Sequence, residues 1–209
     1  MDDDRDPGTL RPGGRTARVR AAVLQAAGDA LAQCGLGGLD LADVAARAGV
    51  GKTTVYRRWG NATGLVADLL ADMAEQSLPR SDTGSLLGDL RANARLVLRT
   101  LTDPRQGRLF RALIAAATCD DRAAVALHRF YQIRIGEWAP CVDQAITRGE
   151  IPAGTDPGEV IRAVSAPLYY RLLASGDPLD DEAADRAARA AAAAAIAGAY
   201  VRPATARRR

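Results

Sequence analysis

One short stretch of the chain constrains the fold most strongly, because two helical patterns flank a tight turn there. Asp40 and Asp43 resemble a capping box that opens a first helix over Leu41–Ala48. Gly49 interrupts this pattern, and a second helix is predicted over Lys52–Trp59. A helix, a turn containing glycine and a second helix form a helix-turn-helix, whose second helix enters the major groove of DNA.

Positive charge is concentrated around these two helices. Residues 15–66 carry a net charge of +4, whereas the whole chain carries +3. Leu41, Val44 and Val55 fall where the two helices would pack together, so the polar and basic residues of the second helix would point outwards. Such a surface attracts DNA phosphates, and an arginine can bridge guanine with two hydrogen bonds.

The residues of this region, LDLADVAARAGVGKTTVYRRW from Leu39 to Trp59, resemble the signature of the tetracycline-repressor family. The resemblance is strong over about residues 15–70 and looser over the rest of the chain. It implies an all-α fold with an N-terminal three-helix helix-turn-helix DNA-binding domain. A C-terminal helical domain for ligand binding and dimerisation would follow, giving about nine helices when they are counted from the hydrophobic periodicity.

The resemblance also implies roles in DNA binding for individual residues. The residues expected to reach bases are Lys52, Thr53 and Arg57. The residues expected to hold the DNA backbone are Thr54, Tyr56 and Arg58. Ahead of the first helix, Arg15 and Thr16 are expected to add phosphate or minor-groove contacts. The chain departs from the family pattern at Gly51, where serine is common, and at Ala62, where a lysine is common. One contact to the DNA backbone is therefore expected to be missing.

Proline, glycine and charged residues set the expected domain boundaries. Helical periodicity without convincing period-two alternation continues through the C-terminal region, where Asp-Pro pairs at 103–104 and 156–157 are typical helix starts. The predicted organisation is a flexible tail over 1–14, the helix-turn-helix domain over 15–62, the effector-binding and dimerisation domain over 63–202 and a basic tail over 203–209.

The resemblance further implies a homodimer that binds a small-molecule effector. Candidate residues for an effector pocket are Phe110, Leu113, Phe130, Tyr131, Arg134, Trp138 and Tyr169. Core packing explains the apolar and aromatic members at least as well, and an exposed or structural role explains Arg134 better. Small and apolar residues of the last two helices permit close helix approach. They predict a dimer seam formed by Val164, Leu168, Leu172, Ala187, Ala191 and Ala194.

Several other classes of protein are disfavoured by the composition. No apolar run reaches the roughly 18 residues of a membrane helix, and the acidic start Met1–Asp4 is not followed by the apolar stretch of a secretory signal. We therefore expect a cytoplasmic protein with no membrane partner. Three widely spaced cysteines and a single histidine, His128, predict neither a metal site nor a cofactor.

Two other interpretations of the basic segment stay open. Ala46–Thr53 matches a relaxed nucleotide-binding P-loop, but that motif requires a buried strand before it, and Leu41–Ala48 has a helical pattern. Alternatively, Lys52–Trp59 could be the solvated basic face of a helical interaction module. That interpretation does not explain the glycine turn between the paired helices.

The sequence thus favours a sequence-specific transcriptional regulator that is not an enzyme. Its expected partners are double-stranded DNA with a palindromic operator, a second copy of the chain and an unidentified small-molecule effector. By resemblance it would be a repressor that the effector releases from the operator, although an activator would carry the same motif.

Overall fold

The computed structural model describes residues 13–76 and 81–203, and these residues form nine α-helices. The helices are α1 (Gly13–Cys34), α2 (Leu41–Arg47), α3 (Lys52–Trp59), α4 (Ala62–Glu75), α5 (Leu86–Thr102), α6 (Pro104–Cys119), α7 (Asp121–Thr147), α8 (Pro157–Tyr170) and α9 (Asp181–Ile196). Within the same residues the only extended pairing is an isolated bridge between Thr155 and Val201. The all-α prediction is confirmed.

Most helices begin at a polar residue whose side chain accepts a hydrogen bond from the first turn. These N-cap residues are Asp40, Asn61, Ser85, Asp103, Asp120, Asp156 and Asp180. The two predicted Asp-Pro starts are among them. The capping box at α2 is incomplete, because Asp43 pairs with Arg47 at 2.7 Å and does not reach back to Asp40. Asp40 alone caps the helix, through the backbone N–H of Ala42.

The first helix begins at Gly13, earlier than the predicted start at residue 15. Two glycines disfavour the helix interior, but this first turn is supported by Arg18, whose Nε donates to the carbonyl of Gly14. The remainder of the predicted N-terminal tail, residues 1–12, lies outside the described residues, as do residues 204–209 of the predicted basic tail.

The helices are arranged as a small head (α1–α3) on a larger helical body. Buried side chains form one continuous core from Val23 in α1 to Ala195 in α9. Helix α4 joins the two parts, because it packs against α1 and α3 of the head and against α7 of the body. In the body, α5 packs against both α8 and α9.

Five of the six residues predicted to form a dimer seam are instead buried within this chain. Val164, Leu168, Leu172, Ala187 and Ala191 are at most 7% exposed, and Ala194 is half-buried. The small side chains of α9 allow close approach to α5 of the same chain, so these inward-facing positions pack against the chain's own core. The end of α8, the helical turn Arg171–Ser175 that follows it and the end of α9 carry Tyr170, Leu173 and Ile196, which are 62%, 44% and 60% exposed.

Candidate DNA interface and ligand cavity

The turn between α2 and α3 is fixed by backbone hydrogen bonds. At the end of α2, the N–H of Val50 donates to the carbonyl of Ala45 at 2.9 Å, and the N–H of Gly49 donates to that of Ala46 at 3.2 Å. This is a Schellman-type helix end, which requires a residue in the left-handed region, and Gly49 has φ 65°. A residue with a side chain would be strained there, so the glycine sets the direction in which α3 leaves the turn.

Helix α3 has one buried face and one solvent face. Val55 and Trp59 point into the core and are 0% and 8% exposed. Thr54 is half-buried. The other residues predicted to contact DNA from this helix are all exposed, namely Lys52, Thr53, Tyr56, Arg57 and Arg58. The helix therefore presents hydroxyl and cationic groups to the solvent over its whole length.

The N-terminus of α1 meets α3 along a concave surface, here called the basic groove. It is lined by Arg15, Thr16, Val19, Thr54, Arg57, Arg58 and the turn residues 49–51. Five of the eight predicted DNA contacts are thus brought together from segments about 40 residues apart in the chain. Lys52, Thr53 and Tyr56 lie outside the basic groove on the exposed surface of α3.

The N-terminus of α3 is available to an anion. Its N-cap residue Gly51 has no side chain that could accept a hydrogen bond. The first N–H groups of a helix have no intrahelical partner, and the helix dipole places partial positive charge at them. Together with Lys52, this end of the helix suits a phosphate oxygen.

An ion-pair network that the sequence analysis did not identify holds the head against α4. Arg20 of α1 donates to Asp68 at 2.8 Å and to Asp72 at 2.6 Å. Asp68 also accepts a hydrogen bond of 2.8 Å from the indole N–H of Trp59, at the end of α3. One carboxylate therefore ties together α1, α3 and α4. The i, i+4 spacing of Asp68 and Asp72 on one helix was the only local signal.

This network lowers the pKa of the Asp68 carboxyl group. Partial burial alone would raise its pKa, but the hydrogen bonds from Arg20 and Trp59 outweigh it and hold the pKa of the carboxyl below its ordinary value of 3.8. Asp68 is therefore ionised at neutral pH.

A cavity of about 490 Å³ lies in the body between α1, α4, α5, α6, α7 and α8. Six of the seven residues predicted for an effector pocket line it: Phe110, Phe130, Tyr131, Arg134, Trp138 and Tyr169. Leu113 does not line the cavity and is completely buried in the core. The aromatic rings form a contiguous cluster, with centroids 5.3 Å apart for Phe130 and Tyr131 and 5.7 Å apart for Tyr131 and Tyr169.

Arg134 connects the cavity to the end of α4. Its guanidinium donates to the backbone carbonyls of Met73 and Gln76, pairs with Glu137 at 2.7 Å and lies over the ring of Phe130. Carbonyls at a helix C-terminus lack intrahelical donors, so the cation satisfies them. The same α4 is thus held at its middle by Arg20 of the head and at its end by a residue that lines the cavity.

In residues 13–76 and 81–203, no group of three or more histidine, cysteine or acidic side chains could hold a metal ion. No helix among the described residues is long and apolar enough to cross a membrane. Ala46 and Arg47 belong to helix α2 or its end, so Ala46–Thr53 lacks the preceding strand of a P-loop.

The site geometry defines a DNA-binding protein of the helix-turn-helix class. Residues 23–69 match the family of bacterial regulatory proteins named tetR, and residues 80–191 match the tetracyclin repressor-like C-terminal domain. The first match extends seven residues past the predicted domain boundary at residue 62.

Individual relatives agree with these matches. The HTH-type transcriptional regulator YdeS of Bacillus subtilis is 33% identical over 161 residues, covering 77% of this chain and 81% of that protein. The DNA-binding transcriptional repressor TetR of Mycobacteroides abscessus is 32% identical over 163 residues, covering 77% and 85%. A TetR-family regulator from Mesorhizobium loti has the same fold, with a TM-score of 0.68, 22% identity and coverage of 88% and 98%. The chain belongs to the TetR family of transcriptional regulators.

The network at Asp68 predicts a pH-dependent stability. Asp68→Asn removes the charge that Arg20 pairs with and should lower the free energy of unfolding at neutral pH by about 1–3 kcal/mol. Because the folded pKa is depressed, the carboxylate stabilises the protein above its unfolded pKa, and this stabilisation is lost as the pH falls through the folded value. The wild type should therefore lose more stability on acidification than Asp68→Asn does.

Urea denaturation at several pH values, at one fixed protein concentration, measures both effects. Asp143→Asn is the matched control, because Asp143 is exposed on α7, and its change should stay within about 0.5 kcal/mol. If Asp68→Asn and Asp143→Asn had the same free energy of unfolding at every pH, a structural role for the network would be contradicted.

Proposed function

We propose that this regulator is a repressor that binds a palindromic operator as a homodimer and is released from it by a small-molecule effector. The observation that carries the proposal is the basic groove, where Arg15, Thr16, Arg57 and Arg58 lie beside the exposed face of α3. Phosphate contacts from the groove would position the head, and α3 would read bases in the major groove. Such a protein would act in the cytoplasm, where bacterial DNA lies.

The dimer we propose uses the outward faces of α8 and α9. Tyr170 at the end of α8, Leu173 in the helical turn that follows it and Ile196 at the end of α9 are large exposed residues. Ala190 and Ala193 of α9 are exposed on the same face as Ile196 and would permit close helix approach. Two copies of this face would form a four-helix interface and hold two heads at a fixed separation.

Release by an effector would act through α4. Arg134 satisfies the last carbonyls of α4 from the cavity side, and Arg20 holds the middle of α4 to the head. A ligand that binds more tightly to one arrangement of α4 than to another shifts the equilibrium between them. The separation of the two heads, and therefore the affinity for the operator, would change with it.

Selection of bound sequences from random duplex DNA, at a stated salt concentration, tests the DNA-binding proposal. The wild type should enrich an inverted repeat with half-sites about one helical turn apart. Arg57→Ala should lose about 1–3 kcal/mol of discrimination at the base it contacts. Tyr56→Phe should weaken binding to all duplexes by a similar factor, because it removes a contact to the backbone.

Arg129→Ala is the matched control for these variants, because Arg129 is exposed on α7 of the body. Its selected sequence and affinity should equal those of the wild type. If Arg57→Ala retained full sequence preference, α3 would not be the helix that reads bases.

The proposed dimer face predicts that one added negative charge at position 196 weakens dimerisation. Ile196→Asp buries a carboxylate in the interface and should produce monomers at concentrations where the wild type is dimeric, as measured by sedimentation equilibrium. Val125→Asp is the matched control, because Val125 is 70% exposed on α7. A dimer that tolerates Ile196→Asp, or that Val125→Asp disrupts, would place the interface elsewhere.

A further inference from the structure

Asn93 of α5 is an unusual member of the cavity lining. It is only 4% exposed, and within the described part of the chain its Oδ1 accepts no hydrogen bond. Burying a carbonyl oxygen without a partner is unfavourable. The two ends of an asparagine amide exchange by rotation about a soft torsion, so either the acceptor or the donor can turn towards a ligand.

Two hydroxyls of the lining already have a carbonyl partner within their own helix. The hydroxyl of Thr100 donates to the carbonyl of Leu96, and that of Ser165 lies within hydrogen-bond distance of the carbonyl of Ile161. Both hydroxyls are occupied by their own helices. The carboxamide of Asn93 is therefore a buried group of the lining whose oxygen has no hydrogen-bond partner within the described residues.

The charged residues of the lining are neutralised by the protein itself. Asp72 pairs with Arg20, Arg105 pairs with Asp29 and Arg134 pairs with Glu137. Burial raises the pKa of Tyr131 and of Tyr169 above their ordinary value, so both phenols stay neutral. A charged ligand would enter without a free counter-charge and would lose its hydration.

The apolar part of the cavity is aromatic. The rings of Phe110 and Tyr169 meet at 72°, and those of Tyr131 and Tyr169 meet at 87°. Edge-to-face arrangements of this kind extend readily to an additional ring. Exposed glutamines at positions 25, 76 and 106 line the same cavity, which places its mouth between α1, α4 and α6.

We propose that the cavity selects an uncharged aromatic ligand bearing a hydroxyl or similar hydrogen-bonding group, and that Asn93 is the residue that reads this group. The inference rests on the proposed function only in taking this cavity as the effector site. Asn93 supplies the polar anchor, the ring cluster supplies the apolar contact, and the paired charges disfavour an ion.

Three probes of nearly equal shape test the proposal by equilibrium dialysis against the full-length protein. They are naphthol, methylnaphthalene and naphthoate, each substituted at the same ring position. The wild type should bind naphthol about tenfold more tightly than methylnaphthalene, the factor expected for one buried hydrogen bond. Naphthoate should bind more weakly than both.

Asn93→Leu should remove the preference for naphthol while methylnaphthalene binding changes by less than about twofold. It should also be at least as resistant to urea as the wild type, because it removes an unpaired buried carbonyl. A purely structural role for Asn93 would instead lower the stability. Gln144→Leu is the matched control, since Gln144 also has a buried carbonyl oxygen without a partner but does not line the cavity. The Gln144→Leu variant should still bind naphthol more tightly than methylnaphthalene.

The proposal is overturned if the wild type binds naphthol no better than methylnaphthalene, prefers naphthoate or binds no probe. Retention of the preference in Asn93→Leu would overturn the role of that residue. No DNA is present in these measurements. Failure here therefore leaves the DNA-binding proposal intact, whereas failure to enrich any duplex sequence would leave the ligand preference intact.

Discussion

The carboxylate of Asp68 is the interaction on which the arrangement of this protein depends. It accepts hydrogen bonds from Arg20 of α1 and from Trp59 at the end of α3, while its own helix, α4, packs on the body. The helix that presents Arg57 is therefore not oriented by the turn at Gly49 alone. Its far end is fixed to the element that borders the ligand cavity, and the pairing keeps Asp68 ionised despite partial burial.

The cavity lining also contacts α4, at the C-terminal end of that helix. Arg134 satisfies the terminal carbonyls of α4 and pairs with Glu137, and this leaves no free charge from Arg134 inside the lining. A single helix thus carries both the contact that positions the head and the contacts that a ligand would disturb. Linkage between DNA and ligand binding requires only that the ligand favour one position of α4.

Local sequence predicted the parts of the site that are determined locally. Helix α3 was predicted at its observed bounds, Lys52–Trp59, because glycines flank it and its apolar residues repeat at helical spacing. The Arg20–Asp68 pair could not be predicted, since its members are 48 residues apart and the i, i+4 spacing of Asp68 and Asp72 does not indicate which cation they pair with. The burial of the residues predicted for the dimer seam could not be foreseen for a related reason. Periodicity shows that α8 and α9 each have an apolar face, but not that α5 of the same chain covers it.

The most direct test of this account is amide hydrogen exchange of the full-length protein with and without the duplex that it selects. Binding should slow exchange in α3 and at the N-terminus of α1, because these segments line the basic groove. Exchange on the outer surface of α7 should not change on contact with DNA. Protection confined to the arginine-rich surfaces of α5 and α6, with α3 unaffected, would contradict the assignment of α3 as the helix that reads DNA.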